Sequence, residues 1–252
     1  MQDLNSKVAY RGGKITIISD NFKFIYIHIP KCGGSSIERE FETFAKWGDF
    51  VIGSTRLGYN LEKVLYKLYG IDKHTKPKQL AEIIGNKWDE YTKVTIVRHP
   101  KKVIESYYKF GKRRASEICT NNGLTRSQLL HHIKLKKATI PDWMYHQNRG
   151  AMIDAISSDD FNHYLKLVSD TRWTEFFNDY VLDQKIDYVL QLEESEQILD
   201  FFRCLVDDDF KLRHENISNS SKELVWSDEN LEIYSKLISE VCDKLGYGLD
   251  YD

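Results

Sequence analysis

The chain has 252 residues, 41% of them apolar and 29% charged, which is ordinary for a soluble globular protein and enough for one large α/β domain with a substantial core. Its net charge of −2 excludes a global basic field of the kind that binds nucleic acid, so any anion site must be local. The four cysteines, Cys32, Cys119, Cys204 and Cys242, contain no Cys-x-x-Cys pair and no zinc spacing, and read as free thiols in a reducing compartment.

The N-terminal MQDLNSKVAYRGGK has no apolar signal core, and no later stretch approaches the ~18 apolar residues of a membrane span, so the chain is expected to be cytosolic. Residues 15–18, a Ser-Asp-Asn turn and the run from Phe22 predict a hairpin feeding a first central strand. That strand, Phe24-Ile25-Tyr26-Ile27-His28-Ile29, is rich in aromatic and β-branched residues and is stopped by Pro30. The segment Lys31-Cys32-Gly33-Gly34-Ser35-Ser36 follows, with a helix expected from Ser36 to about Lys46.

Gly48, Gly53 and Gly58 around Phe50-Val51-Ile52 predict a short strand or a substrate-side loop. Leu61, Val64, Leu65 and Leu68 have the spacing of a helix face, residues 70–77 break it, and another helix is expected from Lys78 to Gly85. Residues 93–97 form a compact apolar strand ending in Arg98-His99-Pro100, where Pro100 suits the first position of a further helix. Residues 111–140 are rich in Lys and Arg, either a solvated face or a rim receiving an anionic acceptor, with a helix from Thr125. A strand over 186–192 leads into a helix over 194–205, and the last helix starts at the cap Ser227. Strands alternating with helices imply a mostly parallel sheet with helices on both faces, and ligands in such sheets sit beyond the carboxyl ends of the strands. Lys31 and Arg98 each follow a strand, so one edge would collect both charges.

A strand, a tight glycine turn with a lysine and hydroxyls, and a helix N-terminus make a design for holding an anion. An ATP-binding P-loop places its Lys after the second Gly and directly before Ser or Thr, whereas Lys31 precedes both glycines. The full string His-Ile-Pro-Lys-Cys-Gly-Gly-Ser-Ser-Ile resembles the 5′-phosphosulfate loop of sulfotransferases that use 3′-phosphoadenosine 5′-phosphosulfate (PAPS), closest to the carbohydrate-type, family 2-like branch. Arg98 with Ser106 eight residues on resembles that family's 3′-phosphate site. The family's Val-Arg-Asn/Asp-Pro stands here as Val97-Arg98-His99-Pro100, with the His a departure. Less sharply, Lys73-His74-Thr75 is similar to the segment bearing a catalytic His. The run from Tyr188 to Glu193 is similar to a later family strand, and His214-Glu215-Asn216 with Ser220-Ser221-Lys222 to the loop before the final helix, where cofactor contacts fall.

The resemblance covers roughly residues 15–245 and implies a P-loop-like three-layer α/β fold with a mostly parallel central sheet flanked by helices. It implies a single sulfotransferase domain over 1–252, with a PAPS-binding core about 15–110 and 186–245 and acceptor-side elements about 47–60 and 111–150. On this reading Lys31 is catalytic and also binds the cofactor together with Cys32, Gly33, Gly34, Ser35, Ser36, Arg98, Ser106 and Lys222, and His74 is the base. His146, Glu42 and Glu193 are second-choice bases, and His28 is expected to be a satisfied core residue. A nucleophilic role for Cys32 is set aside because family members often carry Thr there. The implied partners are PAPS and an acceptor alcohol, expected on a glycan, with no metal and no nucleic acid. A bacterial cytoplasmic enzyme, or a chain trimmed of a membrane anchor, fits this best. The competing classes are a nucleotide-dependent kinase, which would need Mg²⁺ and a metal-holding Asp, and a non-catalytic nucleotide- or glycan-binding module.

Overall fold

The computed structural model describes residues 13–14, 17–53, 55–72, 74–135, 149–168, 170–182, 184–212 and 224–248. They gather into two compact units. The first takes the described residues up to Val97 and those over 184–212; the second takes those over 98–182 and 224–248.

The first unit holds a five-stranded sheet. Its strands are β2 (Ile17–Ser19), β3 (Phe24–Ile27), β4 (Phe50–Val51), β6 (Thr92–Val97) and β7 (Tyr188–Gln191), in the order β4-β2-β3-β6-β7. A separate parallel pair joins β1 (Gly13–Lys14) to β5 (Ile71–Asp72). The hairpin expected at the start is β2 against β3, with Ile17 opposite Tyr26. β3 pairs parallel with β6, and β6 with β7, while β4 runs antiparallel to β2. Only β2 therefore runs against the others, and β3, β6 and β7 all end at one edge.

All four side chains of β3 are buried because both of its faces are covered. Phe24 and Tyr26 pack with α1 (Gly34–Phe41) and α10 (Ser195–Leu205), through Ile37, Phe41, Ile198 and Phe202. Ile25 and Ile27 point the other way, as the two-residue period of a strand requires, into a second cluster. There they meet Leu80 of α3 (Pro77–Ile84) and Trp88 of α4 (Lys87–Glu90). Helices on both faces of a largely parallel sheet are thus present in this unit.

β3 ends at Ile27 and not Ile29, β7 spans Tyr188–Gln191 within the expected 186–192, and two helices differ from expectation for local reasons. α1 was expected over 36–46 but runs from Gly34 to Phe41, and the Thr43 hydroxyl donates to the Glu40 carbonyl in the turn that follows. α2 (Arg56–Tyr69) begins five residues before Leu61 because the Thr55 side chain accepts from the Gly58 N–H, and it ends at Gly70 in the left-handed conformation.

The second unit is helical. α5 (Pro100–Asn122) starts on its proline and stops at left-handed Gly123. α6 (Arg126–Lys134) opens on a capping box made by Thr125 and Gln128. α7 (Arg149–Ser157), α8 (Phe161–Leu167), α9 (Asp170–Phe177) and a π-helical turn at Asn178–Leu182 follow. α11 (Asp228–Leu245) begins at Ser227, whose side chain accepts from the Asn230 N–H, so the expected cap is present. Sequence analysis placed no element over 149–182. The core there is aromatic: Tyr107 lies 5.2 Å from the Trp173 ring, and Phe176 packs edge-on against both.

The basic stretch is largely consumed within this unit. Arg113 and Arg114 pair with Glu117, Arg126 pairs with Asp159, and the Lys112 ammonium donates to the Ser158 carbonyl. Those residues are paired on the surface of this unit; Lys136 and Lys137 lie outside the described residues. Among the described residues no helix is long and apolar enough to cross a membrane, and no cluster of His, Cys, Asp and Glu is placed to hold a metal ion.

Candidate active site

In the first unit the chain leaves β3 through a turn closed by the Cys32 N–H donating to the Ile29 carbonyl at 3.3 Å. Pro30 occupies the second position and Lys31 the third, with φ at 70°. This is the pattern of a type II turn, whose third residue is usually glycine because its φ is positive. A lysine there costs on the order of 1 kcal/mol or more. Gly33 follows at φ 79° as the N-cap of α1, and being glycine it brings no side chain to cap the first turn. The Ser36 N–H donates back to the Gly33 carbonyl at 3.0 Å. The loop thus uses the N–H groups of Cys32 and Ser36 to hold its own shape, and those of Gly33, Gly34 and Ser35 lie between them at the start of the helix. No acidic residue stands in that first turn to oppose an anion. Cys32 is 1% exposed, its thiol 3.7 Å from the Pro30 carbonyl, so it faces inward as a packing residue.

Gly34 is required by the protein side of the loop, and Gly33 by its positive φ. A Cβ on Gly33 would lie 2.6 Å from Leu192 Cδ1, and one on Gly34 would lie 2.7 Å from the His28 ring. Leu192 follows β7 and is held by its N–H donating to the Val97 carbonyl at 2.8 Å. Sequence analysis assigned both glycines to cofactor binding; on the protein side they lie against the imidazole and the leucine behind them.

Beneath the loop lies a buried polar group. His28 is 4% exposed and Glu38 0%, and the His28 Nδ1–H donates to Glu38 Oε1. His28 is therefore a satisfied buried residue, as expected. His74 packs on it edge to face, ring centroids 4.5 Å apart, and its Nδ1 lies 3.3 Å from the His28 carbonyl. A carbonyl only accepts, so as a hydrogen bond this contact needs the proton on His74 Nδ1. The Tyr26 phenol, also buried, is pushed well above its ordinary pKa by burial first, and then by Glu38 and Cys32 nearby; it stays neutral.

Glu42 caps the far end of α1, and at 1.5 Å of rise per residue an eight-residue helix puts it about 12 Å from the loop. That is too far for a base acting beside Lys31. Glu193 is the neighbour of Leu192 in the chain and stays on the loop side.

In the second unit Arg98 is the residue immediately after β6, partly exposed, and Ser106 lies in the second turn of α5. Between them His99 is the N-cap residue of α5, and its carbonyl accepts from the Val103 N–H. The His99 ring is fully buried, with Nε2 3.5 Å from Cys242 Sγ and the Tyr247 ring 5.4 Å away. Burial pushes the Cys242 thiol up to about 11, so it is a neutral partner. The His that departs from the family's Asn/Asp is thus an anchor to the end of α11. Lys222 and His146 lie outside the described residues.

Sequence reasoning missed Glu38, Leu192, Cys242 and Tyr247. Glu38 carried a usable signal: it shares a buried stripe with Gly34, Ile37 and Phe41, and a carboxyl on an apolar stripe calls for a buried partner. No curated protein and no solved structure matches the chain. A family model described as the sulfotransferase family matches residues 14–181, well over half of the chain and including the loop, His74, Arg98 and Ser106. With that match on the Pro-Lys-Cys-Gly-Gly loop already described, the chain belongs to the sulfotransferase family, on its family 2-like branch.

Proposed function

We propose that the protein transfers the sulfuryl group of PAPS to an acceptor hydroxyl, on a carbohydrate, by in-line displacement. The observation that carries this reading is the turn after β3. It spends backbone strain to set Lys31 and left-handed Gly33 directly ahead of an uncapped helix N-terminus, in a chain of the sulfotransferase family. The donor set fits a phosphosulfate: backbone N–H groups of Gly33, Gly34 and Ser35, the Ser36 hydroxyl and an ammonium. Arg98, supported by Ser106, takes the 3′-phosphate, and Lys222 adds a further contact. The fold is read as the P-loop-like three-layer arrangement, with both units forming one sulfotransferase domain whose acceptor side falls at about 47–60 and 111–150.

The acceptor oxygen forms its bond to sulfur as the bond from sulfur to the bridging phosphate oxygen breaks, and 3′-phosphoadenosine 5′-phosphate departs. Lys31 meets the charge that grows on the bridging oxygen. His74 Nε2 takes the acceptor's proton. Little covalent help is needed from the protein, so positioning and electrostatics dominate, and no metal is invoked.

The test is transfer from radiolabelled PAPS to a panel of glycans and small alcohols, with mass spectrometry locating the sulfate. Transfer to a sugar hydroxyl without added metal is the expected result. Phosphoryl transfer from ATP with Mg²⁺ would overturn it in favour of a kinase. Nucleotide or glycan binding with no turnover over the whole panel would overturn it in favour of a binding module.

A further inference from the structure

Glu38, His28 and the candidate base His74 are all buried. Glu38 is on the second turn of α1 and His28 immediately follows β3, so the hydrogen bond between them ties the helix to the strand end beneath the loop. The same His28 residue does two further things. Its ring forms the wall against which Gly34 packs with no room for a Cβ, and its carbonyl lies 3.3 Å from His74 Nδ1. The two imidazoles meet at right angles, 84° between planes, so the His28 ring also limits where the His74 ring can turn. Rotation of the His28 ring would disturb the glycine packing and the ring contact with His74 together, and Glu38 Oε1 is the atom that opposes that rotation.

We propose that Glu38 and His28 are positioning residues for the transfer reaction: Glu38 fixes the His28 ring, that ring confines the His74 ring, and His74 then keeps its Nδ1 on the His28 carbonyl and turns Nε2 to the acceptor hydroxyl. This rests on the reading of His74 as base. The control is one of reach and not of charge, because the link from Glu38 to His74 passes through the His28 ring and its edge-to-face contact.

Two substitutions separate the possibilities. Glu38→Gln keeps the reach and an accepting oxygen but removes the charge; Glu38→Asp keeps the charge and shortens the reach by one methylene. The readouts are kcat, the affinity for 3′-phosphoadenosine 5′-phosphate, and a long-range nitrogen–proton correlation spectrum of the histidine rings. The His74 signal in that spectrum is assigned by its loss in His74→Ala. The parent spectrum should show the proton on Nδ1 at alkaline pH. Glu38→Gln should keep that tautomer and hold kcat within about threefold of the parent. Glu38→Asp should mix the tautomers and lower kcat by about 10–100-fold with nucleotide affinity unchanged.

A parent ring protonated on Nε2 would overturn the proposal, as would the reverse ranking of the two variants. If Glu38→Asp fails to fold, the parent tautomer and the Glu38→Gln rate decide alone, a tenfold loss in Glu38→Gln counting against. Failure of the underlying reading is distinguishable: His74→Ala then keeps full turnover although the parent ring is protonated on Nδ1, and the positioning role ends with it.

Discussion

The chain leaves two adjacent parallel strands in opposite ways. After β3 it enters a turn with two left-handed residues, Lys31 at φ 70°, which is strained, and Gly33 at φ 79°, which is not, backed by the buried His28–Glu38 hydrogen bond. After β6 it passes through Arg98 and His99 with no left-handed residue, His99 at φ −47° and ψ 130°, straight into a helix whose first φ is set by Pro100. The first exit places its cation by backbone geometry, so each of a few local residues is constrained. The second is relaxed, and His99 is held from far along the chain, by Cys242 and Tyr247 of the segment ending α11. Substitutions after β3 should therefore act on backbone and stability as well as chemistry, and substitutions at Arg98 or Ser106 on ligand affinity alone.

The largest expected effect is at His74, which is seated on the β3 side by the His28 carbonyl. His74→Ala should lower turnover by about 10²–10⁴-fold and leave the affinity for 3′-phosphoadenosine 5′-phosphate unchanged, measured by single-turnover transfer and calorimetry. Turnover close to the parent's would make His74 a bystander and move the search for the base to Glu193 and His146.

Next comes Lys31, where chemistry and strain can be separated. Lys31→Ala should cut turnover by about 10²–10³-fold while product-nucleotide affinity falls less. Lys31→Gly should lose as much turnover, yet be more stable than Lys31→Ala by about 1 kcal/mol, because glycine adopts φ 70° without the Cβ penalty. Equal stability of the two variants in urea titration would show that the turn stores no strain at this position.

The smallest effect contrasts the two exits directly. Gly34→Ala puts a Cβ 2.7 Å from a ring fixed by Glu38, so the loop or the imidazole must shift, at about 1–3 kcal/mol of stability. Ser106→Ala, on the β6 side, should stay within about 0.5 kcal/mol of the parent. Comparable denaturation midpoints for the two variants would erase the distinction drawn between the exits.

How much of this could be read in advance follows the same division. The β3 exit was legible because its determinants are consecutive: an aromatic and β-branched run, Pro30, Lys31 and two glycines. The positive φ at Lys31 was not legible, because proline at the second position with no glycine at the third fits a type I turn, whose third residue has negative φ. The partners of those residues were not legible, because they are brought together by tertiary packing: Glu38 to His28, Leu192 to Gly33, Cys242 to His99. The helices over 149–182 were missed for a related reason. They are short, seven to nine residues; α8 and α9 are stabilised by aromatic contacts with α5, and α7 by aliphatic packing of Ile153 and Ile156 with Ala115 and Ile118. Ser227 was legible because a cap followed by Asp228 and Glu229 is a local electrostatic pattern.

The central claim is that the residue after β6 recognises the 3′-phosphate that distinguishes the donor from ordinary adenine nucleotides. Calorimetry of 3′-phosphoadenosine 5′-phosphate and of adenosine 5′-phosphate, against the parent and Arg98→Ala, tests it most directly. The account predicts that the parent prefers the bisphosphate, and that Arg98→Ala weakens the bisphosphate by about 1.5–3 kcal/mol while the monophosphate barely changes. Equal weakening of both ligands, or a parent with no preference between them, would contradict it.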